Sequence, residues 1–321
     1  MTARRRVAAL VTLVAAAAAA VAVAAVLSSG DGGSAAPAAE PRPGRPPLSF
    51  ALGFRTDPEA RDLARGVALY RSGETGAAGD LFARHDSLEA KVGSAFASWS
   101  EGSLDRLEQL AKLYPESALV QLHLGLARLW AQRGDPVTAW RAAVEAEPDT
   151  PYAILAGNVL HPELPRGIPV FIPSFSAPPE VTELPPGRQL DALQDRAKRG
   201  GVPELILYGV GLQRIGRPVS AARVFRRAAR IAPGAVEAQL ADAVGRFDKD
   251  RPEEAFGRLG PLTRTFPNEP TVRFHLGVLL LWTGRIEAAE RQLRLASRTR
   301  PGSPLAREAA RYLETIRRAR S

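Results

Sequence analysis

Four histidines, thirty-four carboxylates and no cysteine are the groups through which this 321-residue chain could do chemistry. The lack of Cys removes disulfides, thiolate metal ligands and sulfur nucleophiles together. His123 and His275 stand in one phrase written twice, "HLGLARLW" at 123–130 and "HLGVLLLW" at 275–282. Imidazoles at matching places invite a metal reading. Neither has a second ligand at metal-binding spacing beside it, so packing is the expected role and no metal is expected. His85 and His161 are isolated. There is no Gly-rich phosphate loop, no G-x-S-x-G elbow and no acid–base pair on a recognisable framework. No catalytic residue and no cofactor are expected, and the chain reads as a non-enzyme.

The charge is uneven along the chain. Residues 1–47 carry +3, residues 48–187 carry −6 and residues 188–321 carry +12. The basic half is a possible steering field for acidic partners. It lacks interleaved aromatic stacking platforms, and nucleic acid is not the expected partner.

Residues 1–6 form a basic tail with Arg4, Arg5 and Arg6, and residues 7–27 are apolar apart from Thr12. Such a run, at 1.5 Å per residue in a helix, is long enough to cross a bilayer core. The Arg cluster keeps the N-terminus in the cytoplasm by the positive-inside rule and sends the rest of the chain outside. This predicts a single-pass protein of the cell membrane with an extracytoplasmic domain. The alternative is a signal peptide cleaved near "AVA" at 22–24, which would release a secreted protein. Residues 28–56, rich in Pro, Gly and Ala, read as a flexible linker.

The elements that position the repeated phrase follow from a period. Pro233, Pro267 and Pro301 are 34 residues apart, Ala221, Ala255 and Ala289 stand 12 residues before them, and Phe225, Leu259 and Leu293 stand 8 before. This pattern resembles the tetratricopeptide repeat, a helix–turn–helix unit of 34 residues, over 202–235, 236–269 and 270–303. The middle copy departs at Ala243 and Asp250. Gly66, Leu69, Gly73, Ala78 and Phe82 keep the same spacing upstream. With the N-terminal anchor, the chain resembles membrane-anchored tetratricopeptide repeat proteins of bacteria. The resemblance implies an all-α solenoid of about six units in two segments, 57–157 and 186–303. A Pro-rich insertion at 158–185 joins them, and an amphipathic capping helix at 304–321 closes the stack.

In that family the first helices of the units line a groove that binds peptides. Carried onto this chain, the lining is Leu129, Trp130, Ile206, Val210, Gln213, Arg214, Leu240, Val244, Phe247, Phe274, Val278, Leu281 and Trp282. Asp248 falls at a lining position as well. Trp130 and Trp282 have the character of interface anchors. The alternative for each is packing against a neighbouring repeat. Residues 158–189 hold eight Pro around "IPVFIPSF" and are either a connector between the segments or an extended ligand lying in the groove. The reading is a membrane-anchored scaffold that binds a protein or peptide partner outside the cytoplasm, supporting assembly of an envelope complex. The alternative is an accessory domain that binds acidic polymers or anionic lipid headgroups through the basic half.

Overall fold

A computed structural model describes residues 42–320, and every helix, contact and absence stated below refers to these. They form sixteen helices and no strand. Two compact units divide the chain between Pro162 and Glu163. Unit 1 contains α1 (Pro58–Ser72), α2 (Thr75–Phe82), α3 (Leu88–Ala97), α4 (Ser103–Leu113), α5 (Ala118–Ala131), α6 (Pro136–Ala146) and α7 (Pro151–Leu160). Unit 2 contains α8 (Pro179–Thr182), α9 (Pro186–Arg199), α10 (Val202–Arg214), α11 (Pro218–Ile231), α12 (Val236–Gly245), α13 (Glu253–Thr265), α14 (Pro270–Trp282), α15 (Ile286–Thr299) and α16 (Pro304–Arg320). None of these helices is long and apolar enough to cross a membrane, and the expected span at 7–27 lies outside the described residues.

Within each unit every helix packs on the next, and alternate helices such as α5 and α7, or α14 and α16, also touch. The order of α1–α7 is repeated by α10–α16. The first helices α10, α12 and α14 begin at 202, 236 and 270, and the second helices α11, α13 and α15 end at 231, 265 and 299, so each series keeps an interval of 34 residues. Each second helix stops two residues before Pro233, Pro267 or Pro301, where the ring offers no backbone donor to a further turn. Gly216 and Gly284, with φ of 75° and 70°, reverse the chain inside their hairpins in the left-handed region that favours glycine.

Side-chain caps are more frequent in unit 1 than in unit 2. In unit 1 the side chains of Asp57, Ser87, Ser117, Asp135 and Thr150 accept N-terminal amide hydrogens of α1, α3, α5, α6 and α7. In unit 2 the N-cap residues Arg217, Ala235, Glu269 and Arg285 give no such bond, while Ser303 accepts from the Ala306 amide of α16 at 3.1 Å, and Pro stands in the first turn of helices in both units.

Close approach inside the hairpins depends on small residues. A Cβ on Gly66 would stand 2.5 Å from the Phe82 ring, and one on Gly209 would stand 2.3 Å from Phe225. The large ring fills the space that the missing side chain leaves, and both rings are fully buried. Unit 1 has one core, built around Leu63, Phe82, Phe96, Leu107 and Trp140. Unit 2 has two clusters. One contains Leu205, Phe225, Leu240 and Leu259, and the other contains Phe274, Val278, Leu293 and Ile316.

Two boundaries differ from the sequence expectation. Residues 42–52 are not a free linker: Leu48 is buried among α1–α7, because its apolar side chain leaves water there and the Pro46 carbonyl ahead of it accepts from the Tyr70 hydroxyl. The Pro-rich stretch after Pro162 belongs to unit 2, with Phe171 in its core.

Candidate functional site

His123 on α5 and His275 on α14 are both completely buried. Their partners fix the tautomer of each ring. Nδ1 faces the carbonyl four residues back in its own helix, Leu119 or Thr271, at 2.8 Å in both cases. A carbonyl can only accept, so Nδ1 carries the proton. Nε2 is then a lone pair, and each ring offers it to a backbone amide from an extended segment. Ser49 N–H points to His123 at 3.5 Å, longer than an ordinary hydrogen bond, and Ile172 N–H donates to His275 at 3.1 Å. Burial pushes the pKa of each imidazole down to about 4, partly offset by the carbonyl that accepts the Nδ1 proton. Both rings are therefore neutral acceptors at pH 7.

The segments held by these rings match residue by residue. Pro46 and Pro169 are buried, Pro47 and Val170 are half-buried, Leu48 and Phe171 are buried, and Ser49 and Ile172 are half-buried above the imidazole. This alternation is that of an extended chain with one face inward. The Pro46 carbonyl accepts from the Tyr70 hydroxyl at 2.8 Å, and the Pro169 carbonyl accepts from Gln213 Nε2 at 3.4 Å. Tyr70 precedes Gly73 by three residues, as Gln213 precedes Gly216, so the same helical position reads the same carbonyl in both units. Gln213 does more, because its Oε1 also accepts the Phe171 amide at 2.9 Å.

Two residues beyond the imidazole a third clamp differs in kind. In unit 1 the Ala51 amide donates to the Tyr152 hydroxyl on α7 at 3.0 Å. In unit 2 the Ser174 amide donates to Glu237 Oε1 on α12 at 2.9 Å. Burial raises the pKa of Glu237, and the Ser174 hydrogen bonds oppose that shift.

Aromatic rings surround both imidazoles. Phe50, Phe96 and Tyr152 lie about His123 at centroid distances of 6.0, 5.3 and 6.4 Å. Phe171 stacks on His275 at 4.5 Å with 14° between planes, and Phe274 meets that ring edge-on at 5.0 Å. The phrase beginning "HLG" thus supplies, in both units, a buried acceptor for an extended backbone together with the small residue that lets a hairpin close.

The residues named from sequence as a groove lining are placed as follows. Ile206, Val210, Leu240 and Val244 are buried in the cluster that takes Phe171, with Phe247 half-buried at its edge, and Gln213 binds the segment directly. Phe274 and Val278 are fully buried in the cluster joined by Ile172, and Leu281 and Trp282 pack half-buried beside them. Trp282 Nε1 is buried without an acceptor among the described residues. In unit 1 Leu129 and Trp130 are buried. The Trp130 carbonyl accepts the Arg42 amide at 2.8 Å, and the Arg42 guanidinium lies 6.0 Å from the indole centroid. Arg214 is exposed and takes no part in the segment's hydrogen bonds. Asp248 forms an ion pair with Arg251 at 3.3 Å.

Sequence reasoning missed Tyr70, Tyr152 and Glu237, and it missed that residues 46–52 fill a groove of their own. The signal that could have found the last was a Pro two residues before a large apolar residue, ahead of each repeat segment: Pro46 with Leu48, and Pro169 with Phe171. Among the described residues no three His, Asp or Glu side chains come together as a metal-binding group. No protein-family model matches the chain, and no curated protein matches it.

Proposed function

We propose that the chain is a non-enzymatic scaffold of tetratricopeptide-like repeats, an α-solenoid tethered to the membrane through residues 7–27, whose grooves hold extended peptide segments outside the cytoplasm. The observation that carries this reading is the repeated clip, in which His123 and His275 accept a backbone amide three residues after a buried Pro whose carbonyl is itself held. Main-chain recognition with one or two apolar pockets is how extended peptides are bound in general. Here the chain's own segments occupy both sites, and a partner peptide enters unit 2 by displacing residues 168–176. Assembly of an envelope complex is the role that a tethered peptide binder of this kind fits.

The test uses full-length protein in which residues 168–176 are replaced by a Gly/Ser stretch of equal length, with its helicity checked by circular dichroism. A labelled peptide of residues 167–177 should bind it, seen as a rise in fluorescence anisotropy. A peptide with Phe171→Ala should bind at least about tenfold more weakly, the loss of roughly 1.4 kcal/mol or more expected for a buried aromatic anchor. A folded variant that binds neither peptide contradicts the proposal.

A further inference from the structure

On the basic half of the chain, away from the Phe171 segment's hydrogen bonds, α11, α12 and α13 enclose an open depression of about 370 Å³. That volume falls within the range of small-molecule sites. Four guanidinium groups line it: Arg226 and Arg230 from α11, Arg246 from the end of α12, and Arg258 from α13. One carboxylate stands among them. Asp242 is buried, accepts from Arg246 Nε at 3.1 Å and pairs with Arg258 Nε at 3.9 Å through the same oxygen, Oδ2. These bonds hold two of the four arginines in place. Arg226 and Arg230 have neither a hydrogen bond nor an ion pair among the described residues, and both are exposed.

Counting these five side chains alone, the depression has an excess of three positive charges with two guanidinium forks unengaged. Guanidinium forks match the paired oxygens of phosphate and carboxylate groups. The second oxygen of Asp242, Oδ1, is buried with no donor. A buried carboxylate oxygen without a partner is costly, and a ligand that brings an O–H to it removes that cost. A group that offers several anionic oxygens and one acidic proton meets both requirements, and monohydrogen phosphate and the protonated form of a phosphomonoester are such groups. Sulfate has the charge and lacks the proton.

We infer that the α11–α13 depression is a phosphate-binding site, in which Arg226 and Arg230 take the anionic oxygens, Arg246 and Arg258 flank them, and Asp242 Oδ1 accepts the phosphate proton. The site is independent of the peptide grooves, so the two can fail separately.

Isothermal titration calorimetry of the full chain with inorganic phosphate, with glycerol 3-phosphate and with sulfate tests this, alongside co-sedimentation with vesicles containing phosphatidic acid. Saturable binding of phosphate or glycerol 3-phosphate at one site is expected, at least tenfold weaker in Arg226→Gln/Arg230→Gln, which alters only exposed side chains. Sulfate should bind at least tenfold more weakly than phosphate, and Asp242→Asn should narrow that gap. Silence toward the free phosphates, combined with vesicle binding that depends on the same two arginines, would identify a lipid headgroup as the source of the phosphate. The assignment is overturned if no phosphate probe binds saturably, or if binding is unchanged in the double variant with its melting temperature intact.

Discussion

In unit 1 the Pro46 carbonyl takes a single hydrogen bond from a phenol, while in unit 2 one carboxamide, Gln213, holds both the Pro169 carbonyl and the Phe171 amide. The imidazole bond is 3.5 Å in the first and 3.1 Å in the second. The inward side chain is Leu48 in one and Phe171 in the other, and only Phe171 stacks on its imidazole. What stays the same is the backbone: a Pro carbonyl, then an amide three residues on, then an amide two residues further. The groove therefore recognises extended main chain first, and the identity of the apolar residue is set by the pocket behind it. Unit 2 has the more complete set of contacts, and its segment should be the harder one to remove.

The largest test of that difference is truncation of the inward side chain. Phe171→Ala should cost about 4 kcal/mol and Leu48→Ala about 3 kcal/mol, the usual range for large core side chains. Urea denaturation of each variant reads the cost, and limited proteolysis shows whether the segment itself has come loose. Equal insensitivity at both positions would mean that neither side chain anchors its segment.

Acid probes the imidazoles directly. The unfolded rings bind a proton near the ordinary 6.5 and the buried ones only near pH 4. Between these values the unfolded chain holds more protons, so stability is complete above pH 6.5 and falls as the pH drops toward 4. The loss is about 3 kcal/mol for each ring, since each pKa step is worth about 1.4 kcal/mol. A protonated Nε2 also no longer accepts the segment's amide. Denaturation midpoints at pH 7 and pH 4.5 should separate, and the His123→Phe/His275→Phe variant should lose most of that separation.

The smallest expected effects distinguish the two carbonyl clamps. Tyr70→Phe removes one hydrogen bond and should cost about 1 kcal/mol, whereas Gln213→Ala removes two and should cost about 2 kcal/mol. Thermal denaturation of the two variants in parallel gives the ordering. A larger loss at Tyr70 would reverse the ranking of the two units.

Much of this architecture was legible before any coordinates. Pro at intervals of 34 and Gly at the turns mark the helices of unit 2, and Gly209 beside Phe225 follows from the same register. The burial of apolar positions such as Ile206, Leu240 and Val244 was legible too, because they recur at fixed places in a period. The extended segments were not. Residues 46–52 have no helical period, and their partners stand 24, 74 and 101 residues away in sequence, at Tyr70, His123 and Tyr152. Contacts at such separations leave no local pattern, and a short Pro-containing stretch reads as a linker unless the acceptor is already known. The histidines were visible as a repeated letter, but a sequence does not say whether a buried ring faces a metal, a neighbour or a strand.

The central claim is that both grooves are filled by the chain's own backbone. Amide hydrogen exchange at Ser49 and Ile172 in the unmodified protein at pH 7, read residue by residue by NMR, tests it most directly. The account predicts that both amides exchange at least about 100-fold more slowly than in an unstructured chain, with Ile172 the slower. Exchange of both at unstructured rates, while the amides of α5 and α14 stay protected, would contradict it.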